Sequence, residues 1–194
     1  YFGHGGEIDS IQKERMLKYF RFIDRELQEL LDRKSTPLML ACVDYLYPVY
    51  REVSSYTLLF EERITGNPEK ISAQELHQKA WALINPYYKK KVEEAVGRYL
   101  ELKGTGKTSN DIIEIVPAAF HGRISELFVA IGIQHWGSFD PVNNKVLLND
   151  EHKVSGEDLL DLAAAEAFLN NADVYAISKD QMPDDSPAAA IYRW

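Results

Sequence analysis

The chain reads as an α/β protein built from two small layered lobes, and three observations predict it. Segments with helical apolar spacing alternate along the sequence with short apolar runs of strand type, the pattern of layered α/β folds. The 194 residues are 45% apolar and 11% aromatic, enough to bury a real core and too much for a disordered chain. The charge also divides the chain: residues 1–103 carry sixteen Lys/Arg and sixteen Asp/Glu, residues 104–194 six and fourteen, so the whole net charge of −8 lies in the second part. Pro86 interrupts a helical stretch between the two, and the lobes are expected at 1–85 and 86–194.

The elements follow in order. Residues 1–8 are glycine-rich and read as a loop. Asp9 and Gln12 have capping-box spacing, and Met16, Phe20, Ile23, Leu27, Leu30 and Leu31 repeat at helical intervals, predicting one long amphipathic helix over 10–33. The exposed side of its first half is basic, with Lys13, Arg15, Lys18, Arg21 and Arg25 set against Glu14 and Asp24. The continuous apolar run 38–43 predicts a buried strand, 46–53 a short helix, and 57–60 a short strand before the turn at 66–68. Ser72 and Glu75 form a second capping box, opening a helical stretch to 102 that Pro86 should kink or split.

In the second lobe, Thr108 and Asp111 cap a helix reaching His121, and 126–133 is a strand. Trp136-Gly137 reads as a turn and 145–148 as a hairpin edge. Ser155 and Asp158 cap an alanine-rich helix over 156–170, stopped by Asn170-Asn171. Strands over 173–178 and 188–194 complete the alternation.

Several chemistries find no support in the sequence. The lone Cys42 sits in an apolar run and reads as a small core residue. No apolar stretch reaches the roughly 18 residues of a membrane span and no signal-peptide pattern opens the chain, so a cytoplasmic protein is expected. The start at Tyr1 rather than methionine suggests that an upstream part is missing. His4, His77, His121, His135 and His152 are scattered without metal-ligand spacing, and neither a metal nor a cofactor is expected. His121, closing an apolar helix, reads as a capping or core histidine. The string Gly104-Thr-Gly-Lys-Thr108 resembles the end of a phosphate-binding loop. However, Glu101 stands where that loop needs its first glycine, and the segment follows a helix rather than a strand, so it reads as a helix stop.

Gly3, Gly5 and Gly6 fall within four positions directly before the basic helix. Glycines at that density let a backbone approach a ligand with no Cβ in the way. In order, these features resemble a bacterial release-factor-like family related to the archaeal and eukaryotic class I translation termination factors. In that superfamily a Gly-Gly-Gln loop precedes a long basic helix of the middle domain. Here Gly5-Gly6-Glu7 holds that place, followed by Lys13, Arg15, Lys18 and Arg21. The segments 37–43, 48–53, 66–69 and 76–81 match further landmarks of the bacterial relatives. Ala119, Gly122, Leu127 and Val129 match a signature of the superfamily's C-terminal domain, a ribosomal L7Ae/L30e-like α/β/α sandwich, and 157–194 matches its ending.

The resemblance implies a partial middle-like domain over 1–85, with the Gly-rich loop and basic helix, and an acidic L7Ae/L30e-like domain over 86–194. In termination factors the loop enters the peptidyl-transferase centre and promotes hydrolysis of the peptidyl-tRNA ester, while the C-terminal domain docks a GTPase. By that analogy Gly5, Gly6 and Glu7 are the candidate catalytic residues and Lys13, Arg15, Lys18 and Arg21 the candidate RNA-binding ones. The partners implied are the ribosome, at its RNA and peptidyl-tRNA region, and a GTPase at the acidic lobe. Glu7 departs from the pattern, replacing a neutral donor and acceptor with a carboxylate that only accepts and is unfavourable among phosphates. The expectation is therefore a ribosome-associated accessory of a non-hydrolytic kind, in rescue, dissociation or dormancy. Ester hydrolysis by the Gly-Gly-Glu loop and a soluble protein-interaction module unrelated to the ribosome stay open beside it.

Overall fold

The structure, a computed structural model, describes residues 10–31, 36–149 and 156–194. In chain order its principal elements are α1 (Ser10–Leu30), β1 (Ala41–Cys42), α2 (Leu46–Val53), β2 (Ile64–Thr65), α3 (Ala73–Leu102), β3 (Thr108–Ser109), α4 (Ile112–Phe120), β4 (Ile124–Ala130), β5 (Trp136–Asp140), β6 (Lys145–Leu148), β7 (Glu157–Asp158), α5 (Leu159–Leu169), β8 (Asp173–Ile177) and β9 (Ala188–Tyr192). The chain divides into two compact units, Tyr1–Tyr87 and Tyr88–Trp194, with the division falling inside α3. The architecture is mixed α/β. Among the described residues no helix is long and apolar enough to cross a membrane.

In unit 1, α1 packs along α2, and β1 pairs in parallel with β2. The apolar run 38–43 is less regular than its composition predicts. Only Ala41–Cys42 is a strand, and an isolated bridge joins Leu38 to Leu59, which is all the pairing the expected strand over 57–60 makes. Cys42 is partly exposed rather than a core residue, and burial pushes its thiol pKa up. The Ser72–Glu75 box is present, Ser72 N–H donating to Glu75 Oε2 at 3.0 Å and Glu75 N–H donating to Ser72 Oγ at 3.3 Å. Pro86 does not split α3. Ala82 and Pro86 both lie on exposed positions, where the carbonyl deprived of its partner can turn to water.

Unit 2 is a three-layer sandwich. Its central sheet has the order β3-β9-β4-β8, with β4 and β8 parallel and β9 antiparallel to both β3 and β4. Both faces are buried, and the strand alternation assigns residues to layers. Leu127, Ala188 and Ala190 join the core under α4 and α5. Phe128, Ala189 and Ile191, one residue out of step, join a second core with Ala95 and Tyr99 of α3. Three consecutive alanines at the start of β9 are fully buried, so both helical layers come close to the sheet there. Tyr99 is 2% exposed, and burial pushes its phenol up to about 12. Its hydroxyl donates to Asp184 Oδ2 at 3.3 Å, and Lys103 Nζ lies 2.8 Å from the same carboxylate.

Local chemistry sets several boundaries. Asp111 alone caps α4, its Oδ1 accepting from Ile113 N–H at 2.9 Å, while Thr108 belongs to β3. Asp158 caps α5 at Leu159, three residues later than the sequence suggests; Ser155 lies outside the described residues. The strand expected at 126–133 is shifted to Ile124–Ala130. Gly104 and Gly106 adopt φ of +82° and +81°, ending α3 in turns as the helix-stop reading requires. Trp136-Gly137 is not a turn but the first part of β5, central in a second sheet of order β6-β5-β7. A glycine there marks close approach: a Cβ on Gly137 would stand 2.5 Å from the Leu147 carbonyl oxygen and 2.6 Å from Leu159 Cδ1. Gly137→Ala should therefore cost about 2 kcal/mol, measured by urea denaturation, with the secondary structure retained.

Candidate functional site: the outer face of the first helix

Helix α1 buries one stripe and exposes the other. Met16, Leu17, Phe20, Ile23 and Leu27 are partly buried, and Phe20 meets Tyr50 of α2 edge-to-face with ring centroids 5.5 Å apart. An apolar cavity of about 250 Å³ remains between this stripe, β1 and α2, lined in part by Phe20, Ile23, Leu27 and Tyr50.

The helix is fixed by a single polar residue inside the stripe. Asp24, 4% exposed, is buried rather than part of the solvated charge pattern. Its Oδ1 accepts from the hydroxyls of Ser54 at 2.7 Å and Tyr50 at 3.1 Å. Its Oδ2 accepts at 3.0 Å from Gln28 Nε2 and from both the backbone N–H and the hydroxyl of Ser55. Gln28 also donates to Ser55 Oγ. Burial pushes the Asp24 pKa up, but the donations from Ser54, Ser55 and Tyr50 outweigh it and hold the carboxyl below its ordinary value. The spacing carried a signal: position 24 lies next to Ile23, four after Phe20 and three before Leu27, on the apolar side. Its partners Tyr50, Ser54 and Ser55 are distant in sequence and carry no such signal.

Away from this stripe, Arg15 and Lys18 are exposed in register with Phe22 and Arg25, and Arg21 is exposed on the flank, three residues before Asp24. Lys18 pairs with Glu14 one turn away at 2.9 Å, and Arg25 with its neighbour Glu26 at 3.0 Å. Arg15 and Arg21 form no ion pair among the described residues. Lys13 stands apart: its Nζ reaches Glu52 of α2 at 3.0 Å, which draws it toward the packed side. Gly5, Gly6 and Glu7 lie outside the described residues, as do Asp9 and 32–33 at the ends of the expected helix.

Two exposed aromatics on this face were not singled out from sequence. Tyr19 is 62% and Phe22 54% exposed, and the Arg25 guanidinium carbon sits 5.3 Å from the Phe22 ring centroid. Their helical positions next to the basic residues place them on the outer face, a signal that their apolar character obscured.

The charge order along α1 opposes the backbone dipole. Four cations against Glu14 occupy 13–21, and Arg25 against three acids occupies 22–30; the first turn holds no acid and the last no base. Helices favour the reverse, by roughly 0.3–1 kcal/mol per well-placed charge. The first half of α1 thus gathers side-chain cations on the exposed side, an arrangement suited to anions.

A family model for bacterial archaeo-eukaryotic release factor family 3 matches residues 2–123. Among solved structures, ribosome-bound archaeal Pelota with ABCE1 aligns at TM-score 0.53 and 13% identity, over 98% of this chain and 52% of that one. Archaeoglobus fulgidus Pelota aligns at TM-score 0.39 and 14% identity, over 91% and 54%. The chain spans about half the length of the Pelota chains it matches. No curated protein matches it.

The Asp24 network yields a prediction about how α1 is held. Asp24→Ala should destabilise the protein by about 3 kcal/mol, since five donors lose their acceptor. Because the folded carboxyl is held below the unfolded value, its stabilisation is complete above the ordinary aspartate pKa and is lost as pH falls through the depressed one. The gap between the urea midpoints of wild type and variant should be constant near neutral pH and narrow as pH falls below the ordinary aspartate range.

Proposed function

The chain belongs to bacterial archaeo-eukaryotic release factor family 3, and on that footing we propose that it is a ribosome-associated translation accessory that meets ribosomal RNA through the outer face of α1. The carrying observation is the exposure of Arg15, Lys18 and Arg21 within two turns of one helix, with Glu14 the only acid among residues 13–21. A local excess of exposed cations in a chain of net negative charge suits a polyanionic partner. Lys13, engaged by Glu52, stands at the margin of this contact. The fold-level likeness to Pelota, solved bound to a ribosome, supports the same setting.

The role is non-hydrolytic in this reading. Gly5-Gly6-Glu7 directly precedes the basic helix in sequence, and a carboxylate at position 7 brings a negative charge toward phosphates and offers no donor to a developing oxyanion. Residues 88–194, acidic in balance, serve as an L7Ae/L30e-like docking domain for a protein partner: the GTPase of the family resemblance, or a counterpart of the ABCE1 seen with Pelota. A cytoplasmic location follows from that setting.

Sedimentation through a sucrose gradient tests the RNA contact. The protein should travel with ribosomes at low salt and leave them steeply as salt rises. Arg15→Glu with Arg21→Glu should lower ribosome affinity at least tenfold while leaving the melting temperature nearly unchanged, because both side chains are exposed and neither forms an ion pair among the described residues. Full occupancy by the double variant would remove the proposed surface.

The loop has its own measurement, release of labelled peptide from stalled ribosomes. Wild-type protein should release no more than buffer. Release that Gly6→Ala abolishes and Glu7→Gln increases would make the protein a peptidyl-tRNA hydrolase instead.

A further inference from the structure

The central sheet of unit 2 reverses its winding at β4. From β4 the chain crosses through α5 to the parallel strand β8 on one side, then returns to β9 on the other. In open α/β sheets ligands bind beyond the carboxyl ends of parallel strands, and β4 and β8 are the parallel pair here. A cavity of about 410 Å³ lies there, within the size range of small-molecule sites. Gln134, His135 and Trp136, following β4, line one side; Lys179, following β8, and Asp185, preceding β9, line the others.

Each wall is pinned from behind. The His135 backbone donates its N–H to Asp158 Oδ1 at 3.0 Å, and its carbonyl accepts from Leu159 N–H at 2.8 Å, tying it to the start of α5. The Trp136 carbonyl accepts from Asn149 N–H at 3.0 Å. Lys179 opens a short 3-10 turn closed by a capping box between Ser178 and Gln181. Asp185 donates its N–H to Asp184 Oδ1 at 2.9 Å, and Asp184 is itself held by Lys103 and Tyr99. The cavity is therefore preformed, so a ligand would bear little ordering cost. Lys179 and Asp185 form no ion pair among the described residues.

We propose that this cavity binds a nucleoside 5′-phosphate. The indole of Trp136 offers a stacking face for a base. Gln134 and His135 supply donors and acceptors for its edge, the Asp185 carboxylate accepts from ribose hydroxyls, and Lys179 meets the phosphate. One lysine in a region of acidic balance suits a single phosphate and opposes the charge of a triphosphate or a nucleic-acid backbone. That chemistry exists free in solution and at the 5′ end of an RNA. The site uses nothing on α1 and stands or falls separately from the ribosomal reading.

Isothermal titration of the full chain tests it with AMP, GMP, CMP and UMP, the unphosphorylated nucleosides, and a 5′-phosphorylated trinucleotide. At least one mononucleotide should bind one saturable site, and its nucleoside should bind at least tenfold more weakly. Lys179→Glu, on an exposed side chain outside both cores, should weaken binding at least tenfold with an unchanged melting temperature. Trp136→Leu, its fold checked by circular dichroism, should do the same. A trinucleotide that binds as tightly as the mononucleotide assigns the natural ligand to RNA ends, and one that fails assigns it to free nucleotide. Absence of saturable heat with all four mononucleotides at millimolar concentration, or binding that Lys179→Glu leaves intact, overturns the proposal.

Discussion

A carboxylate taken out of water must find hydrogen bonds for both oxygens, and in unit 1 that requirement organises everything around Asp24. Its acceptors draw the C-terminal end of α2, with Ser54 and Ser55 beyond it, against the middle of α1. The geometry leaves one rotational setting for α1, because turning the helix would strand a buried charge. A purely apolar stripe would tolerate slippage more readily. The exposed side is consequently defined: Arg15 lies opposite Asp24, and Lys18 and Arg21 lie around the helix between them. An interaction without chemistry of its own thus decides which side chains a partner meets.

The same helix shows where stability gives way to use. Its cations gather in the first half and its acids in the second, and the first turn holds no acid and the last no base, so the charges give the helix none of the support that an isolated helix favours. The aromatic rings of Tyr19 and Phe22 stay exposed although apolar surface is costly to leave in water. Both departures fall on one face. Places where a sequence contradicts the local rules of stability are where a binding role is most economically sought.

Unit 2 solves a different problem, a narrow sheet buried on both sides. Strict alternation along β4 and β9 sends neighbouring residues into different cores, and the alanines of β9 let the helical layers close over it. β4 and β8 run parallel and end together, and the segments that follow them line a cavity at that end. The topology makes the crevice, and the capped turns around it keep it open.

Much of this was legible in the residues. Helix spacing over 10–30, the capping pair at Ser72, the cap at Asp111, the stop at Asn170 and the basic residues of α1 are local patterns, and local patterns survive in sequence because the atoms that enforce them are a few positions apart. The family resemblance was carried by the same short strings. What folding alone decided depends on contacts between distant segments. Trp136-Gly137 became a strand because β6 and β7 pair with it from either side, and the Leu147 backbone and Leu159 side chain leave room there only for glycine. Pro86 stayed within a helix whose exposed side tolerates a missing bond. Asp24, indistinguishable in composition from a solvated acid, became the anchor of unit 1 because Tyr50, Ser54 and Ser55 arrive around it. The sequence by itself therefore determined the elements, their order and the chemistry they carry. The tertiary structure decided which charges are buried, which are offered outward and where a cavity opens, because burial is a property of neighbours that only folding brings together.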